Sequence, residues 1–485
     1  MAKFILCVIM AITTVMNAGR SSTQPFPETC PFCEDGLSGD VEHCPFCGSS
    51  VENDDYQIAV SSENFTVDEM MMNYFVAYTI QPYKQYLSLL NIDKNSSLKT
   101  QQYSHGRSWY DYFIEQTMDT VEKYLALCEY ARANGIELSE EDMESIDAQI
   151  ATFTDAAKEH GYTTNMYLSY IIADGVTVDV LRRCFEIENL SSLAYAHYNK
   201  NIEYTAKELL DYRDTNPELF LGVDYLTYTF ELTEFTKYDE SGNKTSSTTE
   251  DFIAARSAAT ALSKAENPQE FLDAIRSHTT QIYGEDAAYY YNPEKRHHTR
   301  DYFSEKVAKW AFAAAEGDTM VEIDSDGTYI SVYMITKTPY IDESPTRSAR
   351  QICMTREKYM DYSEVEKVYS EWEASGFSDD VYDRLEAEYS EYAGGSGAYY
   401  YNVPYGMLIE EFEEWIFDPE RQVGDRDIVV SSYGWHIFEY LGEGECSSWE
   451  AIALKNKTSE DFEAMIEEEK EKIICDYDVI NSLDF

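Results

Sequence analysis

GDRDIVVSSYGWHIFEYL, running from Gly424 to Leu441, is the stretch on which the reading of the fold turns. Its second half passes from Gly434-Trp435-His436 into Ile437 to Leu441, a run of strand formers. The same order of features occurs earlier in the chain, where Gly327-Thr328-Tyr329 leads into Ile330 to Ile335. Working outward, Trp415-Ile-Phe417 followed by Gly424-Asp425 is echoed by Trp310-Ala-Phe312 followed by Gly317-Asp318. The pentamer AYYYN stands at Ala288 to Asn292 and again at Ala398 to Asn402. Upstream, the strand Val223 to Phe230 is matched by Ala349 to Met354, the first copy carrying an extra polar insertion from Lys237 to Asp251. Features repeated in order mark tandem units, so two α+β domains are expected, at 213–341 and 345–445.

Before them the pattern is helical. Thr66-Val67-Asp68-Glu69 reads as a capping box opening a helix toward Leu90. From Trp109 the apolar positions Phe113, Ile114, Met118, Val121, Leu125 and Cys128 recur at three- and four-residue steps until Asn134-Gly135. Ser139 to Asp142 caps a helix ending near His160-Gly161, and helices follow at about 163–173 and 177–200. Residues 48–64 are polar and read as a linker, and a last charged helix is expected from Ser459 to about Ile474. The helical region spans 60–212.

With 37 Lys and Arg against 90 Asp and Glu, the net charge of −53 repels phosphate backbones and anionic lipid headgroups, which excludes nucleic acid as a partner. A hydrophobic content of 44% excludes a disordered chain. The apolar run Phe4 to Met16, followed by Ala18 and Gly19, is too short to span a bilayer and fits a signal peptide over 1–19. An exported, extracytoplasmic protein is expected, with no membrane span after that segment. Cys30-Pro-Phe-Cys33 and Cys44-Pro-Phe-Cys47-Gly can place four thiolates around a structural zinc ion in a small ribbon at 26–50, or form a pair of disulfides in an oxidising compartment. The ribbon's alternative use is as an adaptor that recruits a partner. The isolated Cys128, Cys184, Cys353, Cys446 and Cys475 read as buried thiols. Acidic runs such as Glu410-Glu411 with Glu413-Glu414 read as solvated helix faces, and Lys295-Arg296-His297-His298 as an exposed loop.

Taken in order, RQICM (350–354), LEAEYS (385–390), GGSGAYYYN (394–402), GMLIEEFEEWIF (406–417) and the opening stretch resemble a parvulin-type peptidyl-prolyl isomerase domain over Arg347 to Gly442. The helical region, with its Trp109 helix and the NGIELSEED stretch, resembles the N-terminal chaperone domain of SurA and PrsA foldases. That resemblance implies an all-α chaperone-like domain completed by the C-terminal segment 447–485, then two tandem parvulin-like domains, with the zinc ribbon in front. It implies isomerase and chaperone activity on unfolded, proline-containing or exported polypeptides, without a catalytic cofactor. Phe412 and His436 match the family's pocket Phe and C-terminal His; Met407 or Leu408, with Phe417, would complete the proline pocket. The chain departs from the family at Gln351, where a His is expected, and at Tyr392, where an Asp or Cys is expected; both can still hydrogen-bond beside His436. Tyr329 falls where copy one would carry its histidine, which marks that copy as degenerate. The alternative is a non-catalytic holdase whose parvulin domains bind peptide.

Overall fold

A computed structural model of the chain describes residues 56–483 except 88, 94–95, 289, 360 and 394–396. The signal segment and Cys30, Cys33, Cys44 and Cys47 lie outside the described residues. The chain divides into two units, one of residues 1–203 with 458–485 and one of residues 204–457.

The described part of the first unit opens with a hairpin of β1 (Ile58–Ser61), inside the stretch expected to be linker, and β2 (Thr66–Asp68), on the residues expected to cap a helix. Thr66 belongs to a strand, so the cap of α1 (Glu69–Ile80) is Asp68, whose carboxylate accepts from the Met70 and Met71 amides at 3.0 Å. The apolar run beyond α1 turns at Gln81-Pro82 into a 3-10 segment, because proline cannot donate to a continuing helix. A two-stranded ribbon, β3 (Gln102–Ser104) with β4 (Arg107–Ser108), precedes α2 (Trp109–Ala133). Then come α3 (Glu140–Glu159), α4 (Thr164–Ile171) and α5 (Val178–Asn201). Ser108 and Ser139 each exchange hydrogen bonds with an Asp three residues on, the reciprocal cap that Ser139 to Asp142 foretold. Gly135, at φ +68°, terminates α2. Met71, Phe75, Leu125, Ile146 and Phe185 form one core with the C-terminal Val479 and Ile480.

The second unit begins with α6 (Ala206–Thr215) and holds two four-stranded antiparallel sheets. In copy one β5 (Leu221–Glu231) is followed by α7 (Thr248–Leu262), α8 (Pro268–Tyr283), β6 (Glu294–Thr299), α9 (Glu305–Ala311), β7 (Thr319–Ile323) and β8 (Tyr329–Ile341), in sheet order β6-β5-β8-β7. Copy two repeats this with β9 (Pro345–Thr355), α10 (Tyr362–Ala374), α11 (Asp379–Tyr389), β10 (Tyr399–Val403), α12 (Glu410–Ile416), β11 (Arg426–Val430) and β12 (Gly434–Ser447), in order β10-β9-β12-β11. Strand alternation sends Ile352, Met354 and Ile437 to α10 and α11, and Ala349 and Phe438 to α12.

Matching hydrogen bonds set the copies in register. Thr227 N donates to Pro293 O in copy one and Gln351 N to Ala398 O in copy two, both at 2.8 Å. At the far edge Gly317 N donates to Ile335 O at 2.8 Å, and Gly424 N to Tyr440 O at 2.9 Å. Ala398 thus corresponds to Pro293 and not to Ala288, so the two AYYYN pentamers occupy different places. Counting back from Ile335 and Tyr440, the counterpart of His436 is Ser331 and not Tyr329. The turn glycines misplace it because Asp324 to Thr328 separate β7 from β8, whereas only Ser431 to Tyr433 separate β11 from β12.

The chain ends with α13 (Ser448–Lys470), whose residues from Thr458 belong to the first unit, then β13 (Ile474–Cys475) and α14 (Tyr477–Ser482). The last helix therefore starts well before Ser459, since Ser447 and Glu450 pair at its N-terminus, and Ile474 lies in a strand paired with β1. Phe462 and Ile466 pack on Ala126, Ala131 and Ala194 of the helical unit. Cys128, Cys184 and Cys353 are buried, while Cys446 and Cys475 are only partly so.

Candidate active site

Gln351 on β9 and His436 on β12 point to the α12 face of copy two, and both are buried, at 0% and 2% exposure. Nδ1 of His436 lies 2.8 Å from Oε1 of Gln351, and Nε2 lies 2.8 Å from the Ser431 hydroxyl. The Gln351 amide nitrogen donates to Gly397 O at 2.8 Å and to the Tyr400 hydroxyl oxygen at 2.7 Å. A carbonyl oxygen only accepts, so Gly397 fixes which way this amide faces. Oε1 then accepts from Nδ1–H of His436, and Nε2 is left to accept from the Ser431 O–H. Tyr433 N donates to Ser431 Oγ at 3.1 Å. The chain thus runs one way: Tyr433, Ser431, His436, Gln351, Tyr400.

Burial pushes the His436 imidazole down to about 4, so at neutral pH the ring carries the single proton this polarity requires. Burial likewise raises Tyr400 to about 12, and its hydroxyl, already accepting from Gln351, keeps a proton to give. The Phe412 ring meets His436 edge-on at 4.5 Å between centroids and lies 6.2 Å from the Tyr400 ring. Phe412 itself is anchored against Phe438 at 4.8 Å.

Of the residues expected to act, Gln351, His436 and Phe412 are brought together, and all three are buried. Tyr392 stands apart from the chain. It is exposed at the rim, its ring lying where a side chain at residue 397 would have to go: a Cβ on Gly397 would sit 2.5 Å from the Tyr392 ring. The hydroxyl within the network belongs to Tyr400 instead. Met407 is exposed, whereas Leu408 and Phe417 are half-buried against Phe412 and its neighbours. Glu413 is not on a solvated face; its carboxylate accepts from Gly406 N at 2.6 Å and Leu408 N at 2.9 Å, clamping the loop that carries Met407 and Leu408. Burial raises the Glu413 carboxyl above its usual range.

Ser431, Tyr400 and Ser390 were not anticipated. Ser390 Oγ accepts from Cys353 N and Tyr392 N, each at 3.2 Å. Burial lifts the Cys353 thiol to about 11, which leaves it unreactive. The sequence signal for Ser431 is its place across a tight turn from His436, and for Tyr400 its alternation with Ala398 along a strand.

In copy one the corresponding positions hold Thr227, Ser331 and Val307. Ser331 Oγ bonds Thr229 Oγ1 at 2.8 Å, exposed at the sheet surface. His297 and His298 lie in β6 and not in an exposed loop; His297 N donates to Asp224 at 2.8 Å, and His298 Nδ1 is 2.8 Å from the Tyr225 hydroxyl. The helical unit holds a cavity of about 440 Å³ lined by Phe65, Ile136, Leu138, Ile187 and Arg183. Among the described residues no His, Cys, Asp and Glu cluster could hold a metal ion, and no helix is long and apolar enough to cross a membrane.

No family model matches the chain, and no curated protein does. The solved structures similar to it include PrsA peptidyl-prolyl isomerases and SurA-like chaperones. PrsA of Bacillus anthracis is 14% identical over 45% of this chain and 94% of its own, at a TM-score of 0.19. The foldase PrsA of Streptococcus pneumoniae is 14% identical over 59% of this chain and 91% of its own, at 0.21. A SurA-like chaperone of Campylobacter jejuni is 11% identical over 69% of this chain and 97% of its own, at 0.14. At that level of identity and overlap, function rests on the site's own geometry.

Proposed function

We propose that copy two is a peptidyl-prolyl cis-trans isomerase site in a foldase acting on unfolded or exported polypeptides. The carrying observation is the directed hydrogen-bond chain from Ser431 through neutral His436 and Gln351 to Tyr400, beside the Phe412 ring. An X-Pro bond turns slowly because amide resonance imposes a barrier of about 18–20 kcal/mol. Lowering it needs an apolar seat for the proline ring and a fixed donor that favours the twisted amide over the planar one. Phe412, Leu408 and Phe417 form the seat. Tyr400 supplies the donor, held in place by Gln351 and by the tautomer of His436, and no group changes charge. Exchange NMR on a short X-Pro peptide tests this with the full chain: acceleration is expected from the wild type and a loss of most of it in Tyr400→Phe, His436→Ala and Phe412→Ala variants that remain folded. No acceleration by the wild type overturns the enzyme reading.

The burial of Gln351 and His436 favours a second reading, a non-catalytic platform that holds peptide at Tyr392, Tyr400 and Met407 while the helical unit binds apolar segments. In that case peptide binding to copy two persists without any change in exchange rate.

Two further proposals concern the residues ahead of the described chain. Cys30, Cys33, Cys44 and Cys47 hold one structural zinc ion, checked by elemental analysis before and after Cys→Ser replacement, and residues 1–19 direct export, checked by fractionating cells that carry the chain with and without them.

A further inference from the structure

We infer that copy one serves as a brace for the pocket helix of copy two, an inference that rests on the isomerase reading for its effect on rate but not for its structural claim. The segment of copy one that leads into and forms β6 reaches across to α12 and the loop before it. Lys295 Nζ lies 2.8 Å from Glu410 Oε1, and Asn292 donates its amide to Glu410 and, at 3.1 Å, to Glu414. Arg296 lies over the Tyr405 ring at 5.2 Å, and Tyr405 meets Phe417 edge-on at 5.2 Å. Arg296 is itself held from copy one's side by Asp342 at 3.8 Å.

These contacts fall on an element that cannot set its own position. α12 has seven residues, too short to be a stable helix alone, so tertiary contacts decide where it sits. Within copy two its inner face is fixed by Phe412, Trp415 and Ile416 in the core and its start by Glu413 on the loop. Its outer face, Glu410 and Glu414, is held by copy one. The register of the repeats sharpens the point. Lys295 occupies in β6 the place that Tyr400 occupies in β10, because Pro293 and Ala398 receive equivalent hydrogen bonds. The position that carries the donor in copy two carries, in copy one, the cation that steadies its sister's pocket.

The test uses Lys295→Ala with Arg296→Ala in the full chain. Both side chains are partly exposed, Lys295 at 23% and Arg296 at 44%, and neither belongs to a hydrophobic core, so overall folding by circular dichroism is expected to stay unchanged. Hydrogen exchange of the Glu413 and Phe417 amides is expected to quicken about two- to fivefold, the range a partly exposed ion pair and one ring contact can give. Prolyl exchange is expected to slow by a similar factor. Reversing the pair, Lys295→Glu with Glu410→Lys, restores protection where Lys295→Glu alone does not. Unchanged amide exchange in the double-alanine variant overturns the brace, whether or not the wild type proves to be an isomerase. Absence of isomerase activity with quickened amide exchange overturns the enzyme reading alone and leaves the brace standing.

Discussion

Copy one and copy two hang four strands in the same order and cover the same two faces with helices, yet at the positions of Gln351, His436 and Phe412 copy two closes a buried polar chain beside an aromatic ring and copy one does not. Where copy two sets Gln351, His436 and Phe412, copy one sets Thr227, Ser331 and Val307. The sheet is indifferent to this change, because cross-strand pairing needs only a side chain of tolerable shape on each face. What differs is whether the polar groups at these positions are buried and must find partners in the protein. Copy two buries an amide and an imidazole and satisfies both. Copy one places short hydroxyls at its sheet surface, where water suffices.

The largest expected effect is at Phe412. Replacing it with Ala removes a ring at 6% exposure that packs on His436, Tyr400 and Phe438, and should cost about 3–5 kcal/mol in urea unfolding, together with most of any prolyl acceleration. Val307→Ala in copy one, a smaller deletion, should cost roughly half as much and leave the exchange rate untouched. Equal costs, or a rate loss from Val307→Ala, would break the contrast between the copies.

Acid is the next lever. His436 is pushed down to about 4 by burial, from an ordinary value near 6.5. Between those values the folded protein binds fewer protons than the unfolded chain, so this contribution is whole above about pH 6.5 and is lost as pH falls toward 4, a change of roughly 3 kcal/mol. Copy one does not escape, because burial also takes His298 to about 4. The comparison therefore lies between variants: His436→Asn should flatten the acid limb of stability for copy two, and His298→Asn that for copy one, by thermal unfolding from pH 4 to 8. Prolyl exchange itself should stay level from pH 8 to 5, since the ring is neutral throughout. A bell-shaped profile across pH 6.5 would mean that a charged imidazole takes part.

Gln351→Leu comes third. It strands Nδ1–H of His436 and releases Tyr400, for an expected cost of about 1–3 kcal/mol and a clear fall in prolyl acceleration without loss of peptide binding. Gln351→His, the residue that resemblance to parvulins leads one to expect, should retain more of the rate than Gln351→Leu because a ring nitrogen can again accept from His436.

Much of this arrangement was legible in the chain. The Trp109 helix, the Ser139 cap, the strands at Val223, Ile330, Ala349 and Ile437 and the ordered repeat all rest on local periodicity and capping, which sequence carries directly. His436 and Phe412 could be paired through the resemblance to a parvulin domain, not through the repeat. The hydroxyl at Tyr400 could not, because its role depends on which carbonyl meets the Gln351 amide, a fact of sheet register. Register also explains the misplacement of Tyr329: a turn longer by two residues leaves every glycine in order and shifts the strand beyond it. Likewise Glu413 and Glu410 look like an acidic helix face until the loop at Gly406 and the β6 lysine are seen beside them.

The smallest effect is expected where copy one has replaced the site. Thr229 and Ser331 share a hydroxyl hydrogen bond at 2.8 Å, but Thr229 is open to water, which can take over both partners. Thr229→Val should therefore shift stability by no more than about 0.5 kcal/mol in urea unfolding, and the β-branched replacement preserves strand preference. Ser331→His, which supplies an imidazole at the place of His436, should add no prolyl acceleration to a Phe412→Ala background. The new ring would meet Thr227 where copy two has Gln351, and Val307 where it has Phe412, so neither the acceptor that fixes the tautomer nor the aromatic seat is present. Acceleration from that variant would show that the imidazole alone is enough and that the buried chain to Tyr400 is not what separates the two copies.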